Sequence, residues 1–315
     1  MKPKHQGGYT ALHAELCERT LVTLLRGLGP WKAGVCLAGG LVPRYLIPRP
    51  SEGRSGPPPH AGTTDVDLVL DLQVLASVEA YRRLEQNLRA LGLVRGRNDE
   101  GRTQHFSWRK PVGDGVTVVV DLLCDADLGE GGQIAELPGE RRLSALKIPG
   151  AHLAVADHIE VELTATLLDG RGVATEVVRV TNVVPFVVLK ALAYEDRFEE
   201  KDAYDLIYCL MHFGGGPEDV AGKFAERLAR WPEEPLLSRA VEILRTRFAS
   251  DGRTPGARKD GPVSYARFLV DPGRRDLDAR HRQDAAAAVE LFLRSLDAKR
   301  GPRSIRLPSR GEERL

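Results

Sequence analysis

No stretch of the 315-residue chain stays apolar for the roughly 18 residues that a membrane-spanning helix needs. The longest candidate, Val183 to Leu189, contains Pro185 and is closed by Lys190. The opening Met1-Lys-Pro-Lys-His-Gln-Gly-Gly has no apolar core of a secretory leader, so the chain is expected in the cytoplasm, off the membrane. Cysteine is scarce: Cys17, Cys36, Cys124 and Cys209 stand singly, without a CxxC pair, which excludes a disulfide framework. Three of them lie in apolar runs and read as small buried hydrophobes. Eight histidines occur without HxxxH or HxH spacing, which speaks against a zinc site. Neither a GxSxG elbow nor a GxxxxGK[ST] loop is present, which sets aside α/β-hydrolases and P-loop NTPases. No internal repeat suggests a solenoid or propeller.

What is present suits a globular protein. Hydrophobic residues make up 42% and charged residues 28%, and the length suggests about two domains. The net charge of +1 hides an asymmetry. Residues 221–315 hold 21 Lys/Arg against 14 Asp/Glu, leaving the front acidic. That split fits either an anionic partner at one end or a merely solvated Arg-rich surface.

Apolar periodicity predicts an amphipathic helix from Tyr9 to Leu28, closed by Gly29-Pro30, then a strand over Gly34–Ala38 that stops at Gly39-Gly40. A helix is expected over Leu41–Ile47, with Pro43 in its first turn. Residues 48–62 hold five prolines and read as a mobile loop. Strands are expected at Thr64–Leu72, Gln104–Arg109 and Val116–Cys124, with a helix at Val74–Leu93 and a hairpin pairing Ile159–Leu168 with Glu176–Thr181. Beyond Phe186 the pattern is helical, at about 186–196, 201–213, 217–230, 236–249 and 283–298. The expected fold is α+β: a mixed sheet flanked by helices over 1–185, a helical domain over 186–298, and a basic, unstructured tail over 299–315.

Three pieces carry chemistry. Gly39-Gly40 joins a buried strand to a helix; glycine there permits a positive φ and a close approach of phosphate to the backbone. Many glycine pairs are only turns. In Thr64-Asp65-Val66-Asp67-Leu68, strand alternation puts Asp65 and Asp67 on one face. Their repulsion would be relieved by a divalent cation such as Mg²⁺, although a DxD strand is also a common solvated edge. Asp121 lies within Val118-Val-Val-Asp-Leu-Leu-Cys124, where burial demands a partner. It is either a third metal carboxylate or half of a structural ion pair.

In this order, strand-GG, then DVD, then a later buried Asp, the pattern resembles the nucleotidyltransferase superfamily. There the glycine pair lies under a nucleoside triphosphate and the acids hold Mg²⁺. The 24 residues between Gly40 and Asp65 are more than that family usually has, because of the proline-rich loop. Phe186-Val-Val-Leu-Lys190-Ala-Leu-Ala-Tyr-Glu-Asp-Arg197, followed by Lys201-Asp202-Ala-Tyr-Asp205, resembles the Lys…Arg…Lys-Asp-x-x-Asp segment of AbiEii-type nucleotidyltransferase toxins, the MenT proteins of type IV toxin–antitoxin systems among them. The likeness covers residues 33–47, 63–70, 118–124 and 183–208.

On one continuous helix, Lys190, Arg197 and Lys201 would align within about 20° and Asp205 within about 60°, while Asp202 would sit about 120° away. A break near Phe198 would void that alignment, so both aspartates stay candidates. The plain alternative is a salt-bridge ladder on a solvated helix.

The resemblance implies Mg²⁺-dependent transfer of NMP from an NTP to an acceptor hydroxyl, with pyrophosphate leaving. Asp65, Asp67 and Asp121 would hold the metal, or Asp121 would act as base. Lys190 would neutralise the triphosphate, with Asp202 or Asp205 orienting Lys190 or Arg197. Gly39, Gly40, Arg44, Thr64 and Arg197 would line the nucleotide. It also implies a tRNA acceptor, reached through the basic C-terminal region, and a separate antitoxin protein. Arg44 also reads as a helix cap, and His60 and Thr63 as loop residues beside the DVD strand. Two rival functions are a nucleotidyltransferase acting on a small molecule such as an antibiotic, and a catalytically silent binding protein of the same fold.

Overall fold

The computed structural model of the chain describes residues 3–48, 56–72, 78–98, 100–112, 116–126, 131–137, 140–168, 170–270 and 274–300. The expected tail beyond Arg300, much of the proline-rich stretch and the start of the Val74–Leu93 helix lie outside these residues. Lys299 and Arg300, expected in the tail, instead close the last helix.

Thr10 starts helix α1 (Ala11–Leu28): its hydroxyl accepts from the His13 N–H, while the Thr10 N–H donates to His13 Nδ1 at 2.9 Å. The chain leaves α1 through Gly29 at φ 58° and enters strand β1 (Val35–Ala38), which is buried along its whole length. A 3-10 turn over Gly39–Leu41 leads to one turn of helix, α2 (Pro43–Leu46). Strand β2 (Asp65–Leu70) and helix α3 (Val78–Ala90) follow. Next come β3 (Val94–Arg97), β4 (Thr103–Pro111), β5 (Thr117–Asp125), β6 (Ile134–Leu137) and β7 (Glu140–Ile148). Helix α4 (Ala151–Ala156) precedes the expected hairpin of β8 (His158–Thr166) and β9 (Val173–Thr181).

These strands form one mixed nine-stranded sheet, ordered β3-β4-β5-β2-β1-β9-β8, with β7 added to β5 and β6 to β7. Alternation along the central strands sorts their side chains. Val66, Leu68 and Leu70 of β2 join Val118, Val120 and Leu122 of β5 in the main core, with leucines of α1 and α3. Val69 and Leu123 point to the other face, where Cys36, Ala38, Ala151 and Ala154 form a smaller apolar cluster packed against Leu189.

The rest is helical: α5 (Val183–Arg197), α6 (Glu200–His212), α7 (Pro217–Arg230), α8 (Pro235–Arg247), α9 (Asp260–Leu269) and α10 (Arg275–Arg300). α10 packs along α7 and α9, with Phe292 edge-on to Phe224 at 5.3 Å. The architecture is thus a mixed sheet flanked by helices and followed by a helical part. Sequence periodicity missed α9, because Gly261-Pro262 resembles a loop. In the first helical turn a proline forfeits no hydrogen bond.

Two charged ties join the sheet side to α7 and α8. Arg227 clasps Asp157 at 2.6 and 2.8 Å, and Asn182 donates to the same carboxylate at 2.9 Å. His152 lies between Asp125 (Nδ1 to Oδ1, 2.8 Å) and Glu234 (Nε2 to Oε2, 2.9 Å). Carboxylate oxygens only accept, so both bonds exist together only when the ring carries two protons. Burial opposes that charge, yet the bonds to Asp125 and Glu234 outweigh it and raise the His152 pKa. The tie therefore stabilises the fold fully below the ordinary histidine value and fades as pH rises through the raised one. The melting temperature of the protein minus that of His152→Gln is expected to be largest near pH 5.5 and to shrink toward pH 9. A difference independent of pH counts against the tie.

Candidate functional site

The glycine elbow and the acids meet at one end of the second sheet face. β1 runs antiparallel to β2 with Ala38 opposite Asp67, so the chain turns as soon as it has passed that carboxylate. Gly39 adopts φ 69°, and a Cβ there would fall 1.7 Å from Asp67 Oδ2. The position therefore needs glycine twice over, for its backbone and for the carboxylate against it. β2 runs parallel to β5, in a register that puts Asp67 opposite Asp121 and Asp65 opposite Val119. Asp65, Asp67 and Asp121 thus share one face, and β2 is an interior strand rather than a solvated edge. The Asp65 N–H donates to Thr63 Oγ1 and the Thr64 hydroxyl donates to Asp65 Oδ1, each at 3.2 Å. Among the described residues, no three His, Cys, Asp or Glu side chains gather closely enough to hold a metal ion. Cys17 beside them is no nucleophile: burial, then Asp65, Asp67 and Glu18, push its pKa far up.

The second half of the site comes from α5 and α6. Phe198, at φ 52°, ends α5 and re-aims the chain, so no continuous helix runs from Lys190 to Tyr208. The break brings both candidate aspartates to the lysine. Lys190 Nζ lies 2.8 Å from Asp202 Oδ1 and 2.7 Å from Asp205 Oδ2. Arg197 Nε reaches Asp202 Oδ2 at 2.6 Å, and Lys201 Nζ reaches Asp205 Oδ1 at 2.6 Å. Both carboxylates are buried, which rules out the solvated ladder.

Burial alone would neutralise these groups, but for Lys190, Asp202 and Asp205 the ion pairs win. The Lys190 pKa is raised because Asp202 and Asp205 outweigh desolvation. The Asp202 pKa is lowered chiefly by Lys190 and Arg197, and that of Asp205 by Lys190 and Lys201. Asp67 adds to the upward shift of Arg197, which places that guanidinium within electrostatic reach of the β2 acid.

His60 joins this cluster from the proline-rich stretch. Its Nε2 lies 2.9 Å from Asp205 Oδ1, while its Nδ1 accepts from the Gly62 N–H at 3.1 Å. The second bond fixes the tautomer, so Nε2–H donates to Asp205. Burial drives its pKa down to about 4, and the ring is neutral at ordinary pH. Tyr204 OH accepts from the Ala61 N–H at 2.9 Å and Tyr208 OH donates to Pro58 O at 2.8 Å, so this part of the expected mobile loop is fastened to α6.

Arg44 turns to Glu18, with Nη2 at 3.2 Å from Oε2. It lines a cavity of about 590 Å³, shared with Gly40, Leu41, Tyr9, His60 and Tyr208. The pairing with Glu18 had no sequence signal, because the partner sits on α1, far from the motif. Among known proteins, no family model matches the chain and no curated protein matches its sequence.

Two substitutions probe this geometry. Gly39→Ala is expected to cost at least about 1–2 kcal/mol from the left-handed backbone alone, and to displace Asp67. Asp205→Ala, which strips Lys190 and Lys201 of a buried counter-charge, is expected to cost about 3–5 kcal/mol. Urea unfolding of the two variants measures both. A near-neutral Asp205→Ala would show that the cluster is solvated.

Proposed function

We propose that the protein is a Mg²⁺-dependent nucleotidyltransferase that moves NMP from an NTP to an acceptor hydroxyl. The observation that carries this reading is the Gly39 elbow packed on Asp67, with Asp121 in register beside it. The acids themselves are the second support: Asp65, Asp67 and Asp121 offer only carboxylate oxygens, a donor set that suits a hard cation needing one or two carboxylates. Asp65 and Asp67 would hold Mg²⁺, which would supply charge neutralisation and orientation at the phosphates, leaving Asp121 as the base.

The chain's own residues do the rest by positioning and charge. The acceptor oxygen attacks the α-phosphorus as the bond to the pyrophosphate oxygen breaks, and Asp121 takes the proton of the acceptor hydroxyl. Arg197, anchored by Asp202 and within reach of Asp67, would neutralise charge developing on the phosphates. Lys190, enclosed by two carboxylates, has the role of fixing Asp202 and Asp205.

The acceptor in this reading is the 3′ end of tRNA, and the biological setting is a toxin held in check by a separate antitoxin protein. The basic excess of residues 221–315 supports a polyanionic acceptor over a small cationic one. Acids outside that range trim the excess: Arg227 is paired with Asp157 and Arg239 with Glu195.

Purified protein, Mg²⁺ and each α-³²P-labelled NTP, incubated with total tRNA, are expected to give labelled RNA on a denaturing gel. Asp67→Asn is expected to lose the transfer by at least about a thousandfold with an unchanged melting temperature. Wild-type turnover in Asp67→Asn overturns the assignment of the acids. Label on a small molecule alone overturns the tRNA acceptor.

A further inference from the structure

Lys201 is the cation that the sequence pattern leaves without a role, and its surroundings differ from those of Lys190. Two carboxylate oxygens meet the Lys190 ammonium, whereas among the described residues Lys201 has one hydrogen-bond partner, Asp205 Oδ1. The rest of its ammonium faces rings: Nζ lies 5.3 Å from the centroid of Tyr9, 5.7 Å from Tyr204 and 5.8 Å from Phe268. Rings attract the charge but accept no strong hydrogen bond, so two N–H donors of a largely buried ammonium are under-used. Burial lowers the Lys201 pKa further than Asp205 restores it, so an added anion beside it is stabilising.

The location of this ammonium is specific. A Cβ on Gly40 would meet Thr63 Oγ1 at 3.0 Å and Lys201 Nζ at 3.4 Å. The bare Cα of Gly40 thus lets a hydroxyl and an ammonium reach the elbow, one residue from the glycine that touches Asp67. Gly40, Tyr9 and His60 also line the 590 Å³ cavity, which gives a ligand room to reach this side of the elbow. Behind Lys201 stands a relay. Asp205 holds its ammonium, and His60, clamped between Tyr204 and Tyr208 at 5.1 and 4.9 Å, holds Asp205.

We propose that Lys201 is the phosphate-binding cation of the site, acting with Thr63 at Gly40, and that His60 is a positioning residue that aims it through Asp205. The ligand class is a polyphosphate chain, such as the tail of a nucleoside triphosphate. The choice of polyphosphate rests on the nucleotidyl-transfer reading; the anion site itself rests on the geometry.

Tripolyphosphate binding by isothermal titration tests this without turnover. The wild-type protein is expected to bind it. Lys201→Gln is expected to weaken binding by about tenfold or more, the usual effect of losing a charge-assisted hydrogen bond, and Lys201→Arg to recover much of it. Both should fold, because Asp205 keeps Lys190 and His60; melting curves check this. His60→Ala is expected to weaken binding about threefold, and His60→Gln, whose amide still donates to Asp205, to restore it. A folded wild-type protein that ignores tripolyphosphate, or a Lys201→Gln variant that binds it normally, overturns the proposal. So does His60→Ala with wild-type affinity, for the positioning role. Label transfer from α-³²P-NTP separates the two ideas. Lys201-dependent binding without any transfer sinks the transferase reading and leaves the anion site standing. Normal transfer by Lys201→Gln, with an unchanged KM for NTP, does the reverse.

Discussion

Three cations and two carboxylates share the space between α5 and α6, and the geometry of the candidate site depends on their mutual neutralisation. An unpaired charge at that depth costs several kcal/mol, so neither Asp202 nor Asp205 can leave alone. Asp205, fully buried, accepts from Lys201 and the neutral His60 and forms an ion pair with Lys190. That arrangement ties α5 to α6 and fastens the segment before β2 onto the same helix. Positions of side chains at the glycine elbow are thereby set by elements that are far apart in sequence.

Among the described residues a net positive charge remains in these close ion pairs, since Lys190, Arg197 and Lys201 meet two carboxylates, Asp202 and Asp205. Across from it, Asp65, Asp67 and Asp121 crowd one face of the sheet. Layers of opposite sign attract directly, and a ligand entering between them must offer each one the opposite charge. A metal-bound phosphate chain has that character: cation toward the acids, anion toward the bases. Arg197, the more exposed member of the basic layer, feels the charge of Asp67.

Parts of this were legible in the sequence, for identifiable reasons. The period of two in Thr64-Asp65-Val66-Asp67-Leu68 predicted which side chains share a face, and the register with β5 put Asp121 beside them. The Gly39-Gly40 pair could be read as a turn, but that a carboxylate rests on Gly39 is a property of strand pairing, which no local pattern contains. The break weighed near Phe198 occurs and voids the single-helix alignment. A single positive φ there turns an alignment that favoured Asp205 over Asp202 into one in which Lys190 holds both. β3, β6 and β7 were not anticipated, because Gly96 and the charged Glu140-Arg-Arg start interrupt the alternation that marks a strand.

The prolines before β2 show how composition can mislead about order. Five prolines and three glycines in 48–62 read as a chain unable to pack, and the inference was sound for hydrogen-bonded elements. Residues 58–62 pack nonetheless, without secondary structure, by lending single groups to α6: the Pro58 carbonyl, the His60 ring and the Ala61 N–H. Proline suits such a role, since a backbone already restricted in φ loses less entropy when it is pinned. A segment held at three points can then carry a neutral histidine into a buried ionic cluster. There a flexible loop would have admitted water, and water would have weakened every ion pair in the cluster.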